Sequence, residues 1–133
     1  MTARAVLAAA LGTAAMAAAG AALAHHSYGM FDLSKEVTIT GTVREFQWTN
    51  PHVFIQVIAP GPGGAPVEYS VEGTAPGVLR RSGWRFDTLK SGEKVQVWMS
   101  PLRDGRAGGL LNYVIGQDGV RHANKATDSA AKP

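Results

Sequence analysis

The sequence predicts an all-β fold: a small five-stranded barrel with one short helix between the third and fourth strands. Three observations carry that prediction. Five short runs alternate apolar with polar residues, and segments rich in Gly, Pro, Asn and Asp separate them. One segment with helix start and stop signals, between Thr74 and Gly83, follows the third run. A glycine, Gly41, interrupts the first run, as a strand requires where it bends to curl a sheet.

The first strand spans Val37 to Val43, with Val37, Ile39 and Val43 on one face and threonines on the other. Phe46 and Trp48 are out of step with Val43, which predicts a bulge near Arg44-Glu45. Asn50-Pro51 breaks the ladder, because proline has no donor. The second strand, His52 to Ile58, carries Val53, Ile55 and Val57 on one face and Phe54 and Ile58 on the other. Two partly apolar faces predict a central or covered strand. Pro60 to Gly64 is a loop, and Val67, Tyr69 and Val71 alternate with Glu68, Ser70 and Glu72 in the third strand. Thr74 is the expected helix cap, Pro76 fits the first turn and Gly83 the position after the last. Trp84 then folds back to the core. The fourth strand, Lys94 to Met99, places Val95, Val97 and Met99 opposite Lys94, Gln96 and Trp98. The fifth runs from Leu110 to Ile115, and Asp118-Gly119 turns the chain back. Strand, strand, strand, helix, strand, strand is the order of the OB-fold Greek-key barrel.

Residues 1–24 read as a secretory leader. Arg4 is its one charge, Ala5 to Ala24 is Ala/Gly-rich, and Ala22-Leu23-Ala24 fits the small-x-small cleavage pattern. The segment is long enough to span a membrane uncleaved, but few of its residues are strongly apolar. Cleavage is expected, leaving no stable membrane anchor and a periplasmic chain. Residues 25–123 then form one domain with an N-terminal extension, and 124–133 an Ala/Lys/Ser/Thr-rich disordered tail. The chain has no cysteine, which excludes a lipid anchor on Cys, disulfides and a thiol nucleophile. Loss of Arg4 takes Lys plus Arg from 13 to 12 against 10 Asp plus Glu, close to neutral. Near-neutrality and export together argue against a nucleic-acid partner.

Cleavage after Ala24 makes His25 the first residue, with His26 beside it. An α-amine with a pKa of about 8 and two imidazoles then lie within two residues. Such nitrogen donors suit copper, which heads the affinity order of divalent first-row ions. His25 and His26 are therefore candidate copper ligands, with His52 as a further one. Trp48, Asn50 and Trp98 are candidates for a ligand or partner surface. No catalytic residue is assigned: the serines lack a nucleophile elbow, and there is no HExxH and no phosphate-binding glycine loop.

Several segments taken together are distinctive: His25-His26-Ser27, Gly41-Thr42-Val43, Phe46 to His52, Gly83-Trp84, Leu89 to Gly92 and Pro101 to Gly105. As a set, from His25 to about Val120, they resemble a family of small exported bacterial proteins, the domain-of-unknown-function family 6152. The resemblance implies export and a barrel, and no established activity. A weaker likeness is to periplasmic copper-binding OB-fold proteins, for which His52, Met99, Trp48 and Trp98 compare without matching spacing. The expected function is an exported binding protein that takes copper at its mature N-terminus. The alternative is a metal-independent module that binds an envelope protein or a small ligand.

Overall fold

A computed structural model describes residues 28–125, and the barrel unit within them begins at Phe31. The leader, His25, His26 and the chain beyond Lys125 lie outside the described residues. The strands are β1 Val37–Gln47, β2 Phe54–Pro60, β3 Pro66–Glu72, β4 Lys94–Pro101, β5 Gly108–Ile115 and β6 Arg121–Ala123. One helix, α1 Pro76–Arg81, joins β3 to β4. Among the described residues no helix is long and apolar enough to cross a membrane.

β1 pairs antiparallel with β2 and with β4, β2 with β3, and β4 with β5. A parallel pairing of Ser70–Glu72 in β3 with Gly108–Leu110 in β5 completes the circuit. The result is a closed five-stranded barrel with the OB-fold strand order and its helix between the third and fourth strands. β6 adds a short sixth strand on the second half of β5, where β3 no longer reaches.

β1 serves two neighbours because it is long and sharply coiled. Val37 to Thr42 face β4, and Thr42 to Gln47 face β2. The register slips between Val43 and Glu45, so the expected bulge is present. Its consequence is that Phe46 and Trp48 both pack on the core at the far end of the strand. Gly41 sits where β2 comes close: a Cβ there would run into the Ile58 carbonyl oxygen. The strand can bend that tightly only without a side chain.

The core is the inward set of alternating residues. Val43, Val53, Ile55, Val57, Val71, Val95, Val97, Met99, Leu111 and Val114 are all buried. β2 is central, between β1 and β3, as its two apolar faces required. α1 closes one end of the barrel with Leu79, and Trp84 enters the core behind it.

The helix ends as a Schellman turn. Trp84 N–H donates to the Leu79 carbonyl at 3.1 Å and Gly83 N–H to the Arg80 carbonyl at 3.1 Å. Gly83 has φ of 87°, a left-handed conformation in which a Cβ is strained. That turn reverses the chain and drops Trp84 inward, where its indole N–H donates to the Ala123 carbonyl at 2.8 Å.

The helix start differs from the sequence expectation. Ala75 is the cap residue and makes no side-chain cap bond. Thr74 instead donates its backbone N–H to Asn124 Oδ1 at 2.8 Å. Asn124, where the tail was expected to begin, is buried and donates its own N–H to the Asn112 carbonyl at 3.0 Å. That bond uses the Thr74 backbone N–H and ties the start of the helix to the chain after β6. The same β6 segment holds His122, half-buried against Trp84 at 5.2 Å between ring centroids.

Candidate ligand-binding cleft

Three sequence features converge at the helix end of the barrel. The β1 bulge carries Trp48 to the rim, α1 brings Arg80 in its last turn, and the Schellman turn presents Gly83, Trp84, Arg85 and Phe86. These six residues line an open cleft of about 460 Å³, a size within the range of about 300–1,000 Å³ usual for small-molecule sites.

The walls are aromatic and the mouth is cationic. Phe46 meets Trp48 edge-on at 5.7 Å and leans on Trp84 at 5.9 Å, so the rings form one packed cluster. Phe86 remains 66% exposed. The Arg80 guanidinium lies 5.9 Å over the Trp48 ring, a cation–π contact. Arg80 has no carboxylate partner among the described residues, and Arg85 meets Asp87 only at 3.7 Å. Among the described residues the covered Trp48 indole N–H and the Ser82 hydroxyl at the helix end have no hydrogen-bond partner.

His122 sits behind the cleft on Trp84. Burial holds its imidazole below the ordinary value of 6.5, and the Asp118 carboxylate works in the opposite direction. The unfolded chain therefore takes up the proton first as the pH falls. Stability owed to the neutral ring is complete above about pH 6.5 and is lost as the pH drops from there toward the folded-state value. We expect His122→Gln to flatten the acid side of the stability curve, measured by urea unfolding at a series of pH values. An unaltered slope would mean that the folded barrel accepts the charged ring.

The other candidates of the sequence reading are dispersed. Asn50 is exposed in the loop between β1 and β2, next to Trp48 in sequence but not in the cleft lining. Trp98 lies on the outer face of β4, stacked on Tyr113 at 4.5 Å and 15°, with the Arg121 guanidinium 4.0 Å from the Tyr113 ring. It stands opposite Thr38, at the other end of β1 from Trp48. Met99 is enclosed in the core, so His52, Met99, Trp48 and Trp98 share no face as the copper-binding likeness would need. His52, expected to begin the second strand, lies two residues before β2 and donates from Nδ1 to the Glu72 carboxylate. Among the described residues no group of three or more His, Cys, Asp or Glu is arranged to hold a metal.

Arg80, Arg85 and Phe86 were not singled out from the sequence as site residues. The available signal was Arg80 four residues before Trp84 across a glycine helix stop, followed by an exposed Phe. That spacing places a cation and two rings at one helix end, but only once Trp84 is known to turn inward.

Residues 14–112 match the model of a family described as a family of unknown function, DUF6152. No curated protein matches the chain. Among solved structures, it is similar to the crystal structure of the mitochondrial single-stranded DNA-binding protein Rim1 from S. cerevisiae. The identity is 13% and the TM-score 0.45, over 62% of this chain and 93% of that one. That structure corrects the exclusion of nucleic acid drawn from charge and export. The DNA binding is Rim1's own. Near-neutral charge weighs only on the electrostatic part of such binding; stacking on aromatic rings needs no net charge.

Proposed function

The chain belongs to DUF6152, a family of unknown function, and we propose that it is an exported binding module whose site is the cleft at the helix end of its barrel. The observation that carries this reading is the open aromatic cleft with the Arg80 guanidinium over Trp48, where no carboxylate among the described residues pairs with it. Its lining comes from the segment after β1, the last turn of α1 and the turn that follows it, and Trp84 in that lining is anchored in the barrel core. Export rests on the leader, whose removal after Ala24 delivers the barrel to the periplasm.

The test is a nuclear magnetic resonance screen of the full chain with a library of small aromatic fragments. Shifts are expected to gather on Trp48, Arg80, Trp84, Arg85 and Phe86. Trp48→Ala is expected to weaken the fragment hits by about tenfold, the equivalent of about 1.4 kcal/mol. Hits scattered over the barrel, or confined to the Trp98–Tyr113 face, would defeat the cleft as the site.

A second reading, copper held by His25, His26 and His52, is supported by one observation. His52 donates a hydrogen bond from Nδ1 to the Glu72 carboxylate, the kind of contact a metal-ligating histidine makes through its other ring nitrogen. Mass spectrometry of the exported protein should then find His25 as the first residue. Cu(II) should bind at one tight site that acid weakens, since the amine and imidazoles take up protons. One extra residue before His25 should abolish most of that affinity by displacing the amine. Equal binding by the native and extended chains would remove this reading.

A further inference from the structure

We propose that the ligand of the cleft is a small organic anion carrying a flat aromatic ring, an aromatic carboxylate in its simplest form. The proposal rests on the cleft being the binding site and names the chemistry that the lining selects.

The charge of the lining selects an anion. Arg80 and Arg85 are its only charged members among the described residues. Arg85 Nε lies 3.7 Å from Asp87 Oδ1, a single long contact, and among the described residues no other ion pair engages that guanidinium. Arg80 makes no carboxylate contact among the described residues and is exposed at the mouth. A guanidinium presents a planar fork of donors that matches a carboxylate with two parallel bonds. The C-terminal end of α1 opposes an anion, but the Leu79 and Arg80 carbonyls there accept from the Trp84 and Gly83 N–H groups.

The rings select a flat apolar body. Phe86 is 66% exposed on the lining, so its ring is available for stacking. Trp48 offers a second ring whose one face is already under the Arg80 guanidinium. A flat ring laid between Phe86 and Trp48 displaces water from apolar surface and leaves its acid group at the Arg80 fork. An aliphatic anion would gain the charge contact without the stacking, and a neutral ring would gain the stacking without the charge.

The experiment uses the full chain and three probes: 2-naphthoate, its neutral analogue 2-naphthamide, and inorganic phosphate. Indole N–H resonances and tryptophan fluorescence report on Trp48. 2-Naphthoate is expected to bind at least about tenfold more tightly than 2-naphthamide, as a charge-assisted pair of bonds would give. Phosphate should leave the Trp48 signals unmoved, and added salt should weaken naphthoate. Arg80→Gln should abolish the preference for naphthoate over naphthamide while naphthamide still binds. Arg44→Gln, which removes an equal charge from the outer face of β1 where Arg44 pairs with Glu68, should leave the preference intact. Equal binding of the two naphthyl probes at the cleft, or displacement of naphthoate by phosphate, overturns the proposal while the cleft remains a site. Failure of both naphthyl probes to move any cleft resonance overturns the cleft reading as well.

Discussion

Replacing Trp84 with alanine is expected to remove about 3–5 kcal/mol of stability. The ring is 1% exposed and is the largest fully buried side chain. It touches Phe46 from β1 and His122 from β6, and its N–H closes on the Ala123 carbonyl. One residue thus ties the first strand, the helix end and the last strand together. The loss is a large share of the about 5–15 kcal/mol that separates folded from unfolded in a domain of this kind. Urea unfolding followed by circular dichroism measures it. Trp84→Phe separates the contributions: it keeps most of the packing and orphans the Ala123 carbonyl, for an expected loss of about 1–3 kcal/mol. A Trp84→Ala protein within about 1 kcal/mol of the parent would show that the site had collapsed onto the void, the low end of what such substitutions do.

Gly41→Val is expected to destabilise the barrel by about 1–3 kcal/mol or more, because the side chain has nowhere to go. The first carbon alone would strike the Ile58 carbonyl oxygen, and it would lie 2.9 Å from both Ala59 Cβ and Val57 Cγ1. The backbone of β2 cannot withdraw without giving up the ladder to β1 or to β3. Gly63→Ala is the control, since no atom lies within 4 Å of a Cβ added there. It should be neutral or slightly stabilising through the unfolded chain. Similar losses at the two positions would mean that lost chain flexibility, and not strand closure, governs the glycine at 41.

Much of the barrel was legible along the chain. The alternation of Val95, Val97 and Met99, and of Val53, Ile55 and Val57, assigned strands and their inward faces. The slip between Val43 and Phe46 predicted the bulge that the register now shows. Pro76 and Gly83 bracketed the helix, and the left-handed φ at Gly83 explains why that residue type stands there. These features are local: each is set by a period, a missing donor or a missing Cβ within a few residues.

What misled the reading was long-range. Thr74 resembles a cap in its own neighbourhood, yet Ala75 holds that position, and the Thr74 backbone N–H bonds Asn124, fifty residues later. Asn124 reads as the start of the tail, yet it is buried next to β6, a three-residue strand that pairs with β5. Trp48 and Trp98 were grouped as one surface by residue type. They lie near opposite ends of β1, because β1 coils across the barrel and offers each end to a different neighbour.

The sequence by itself determined the class of fold, the strand order, the bulge and the helix stop, because hydrophobic period and backbone geometry are written into adjacent residues. Only the tertiary structure decided the site. Arg80 reads as one more solvated charge until the Schellman turn folds Trp84 under it and the β1 bulge swings Trp48 beneath its guanidinium. A cleft is made of walls from separate elements, and their approach is set by barrel closure through the β3–β5 pairing, a contact between segments more than thirty residues apart that no local pattern encodes.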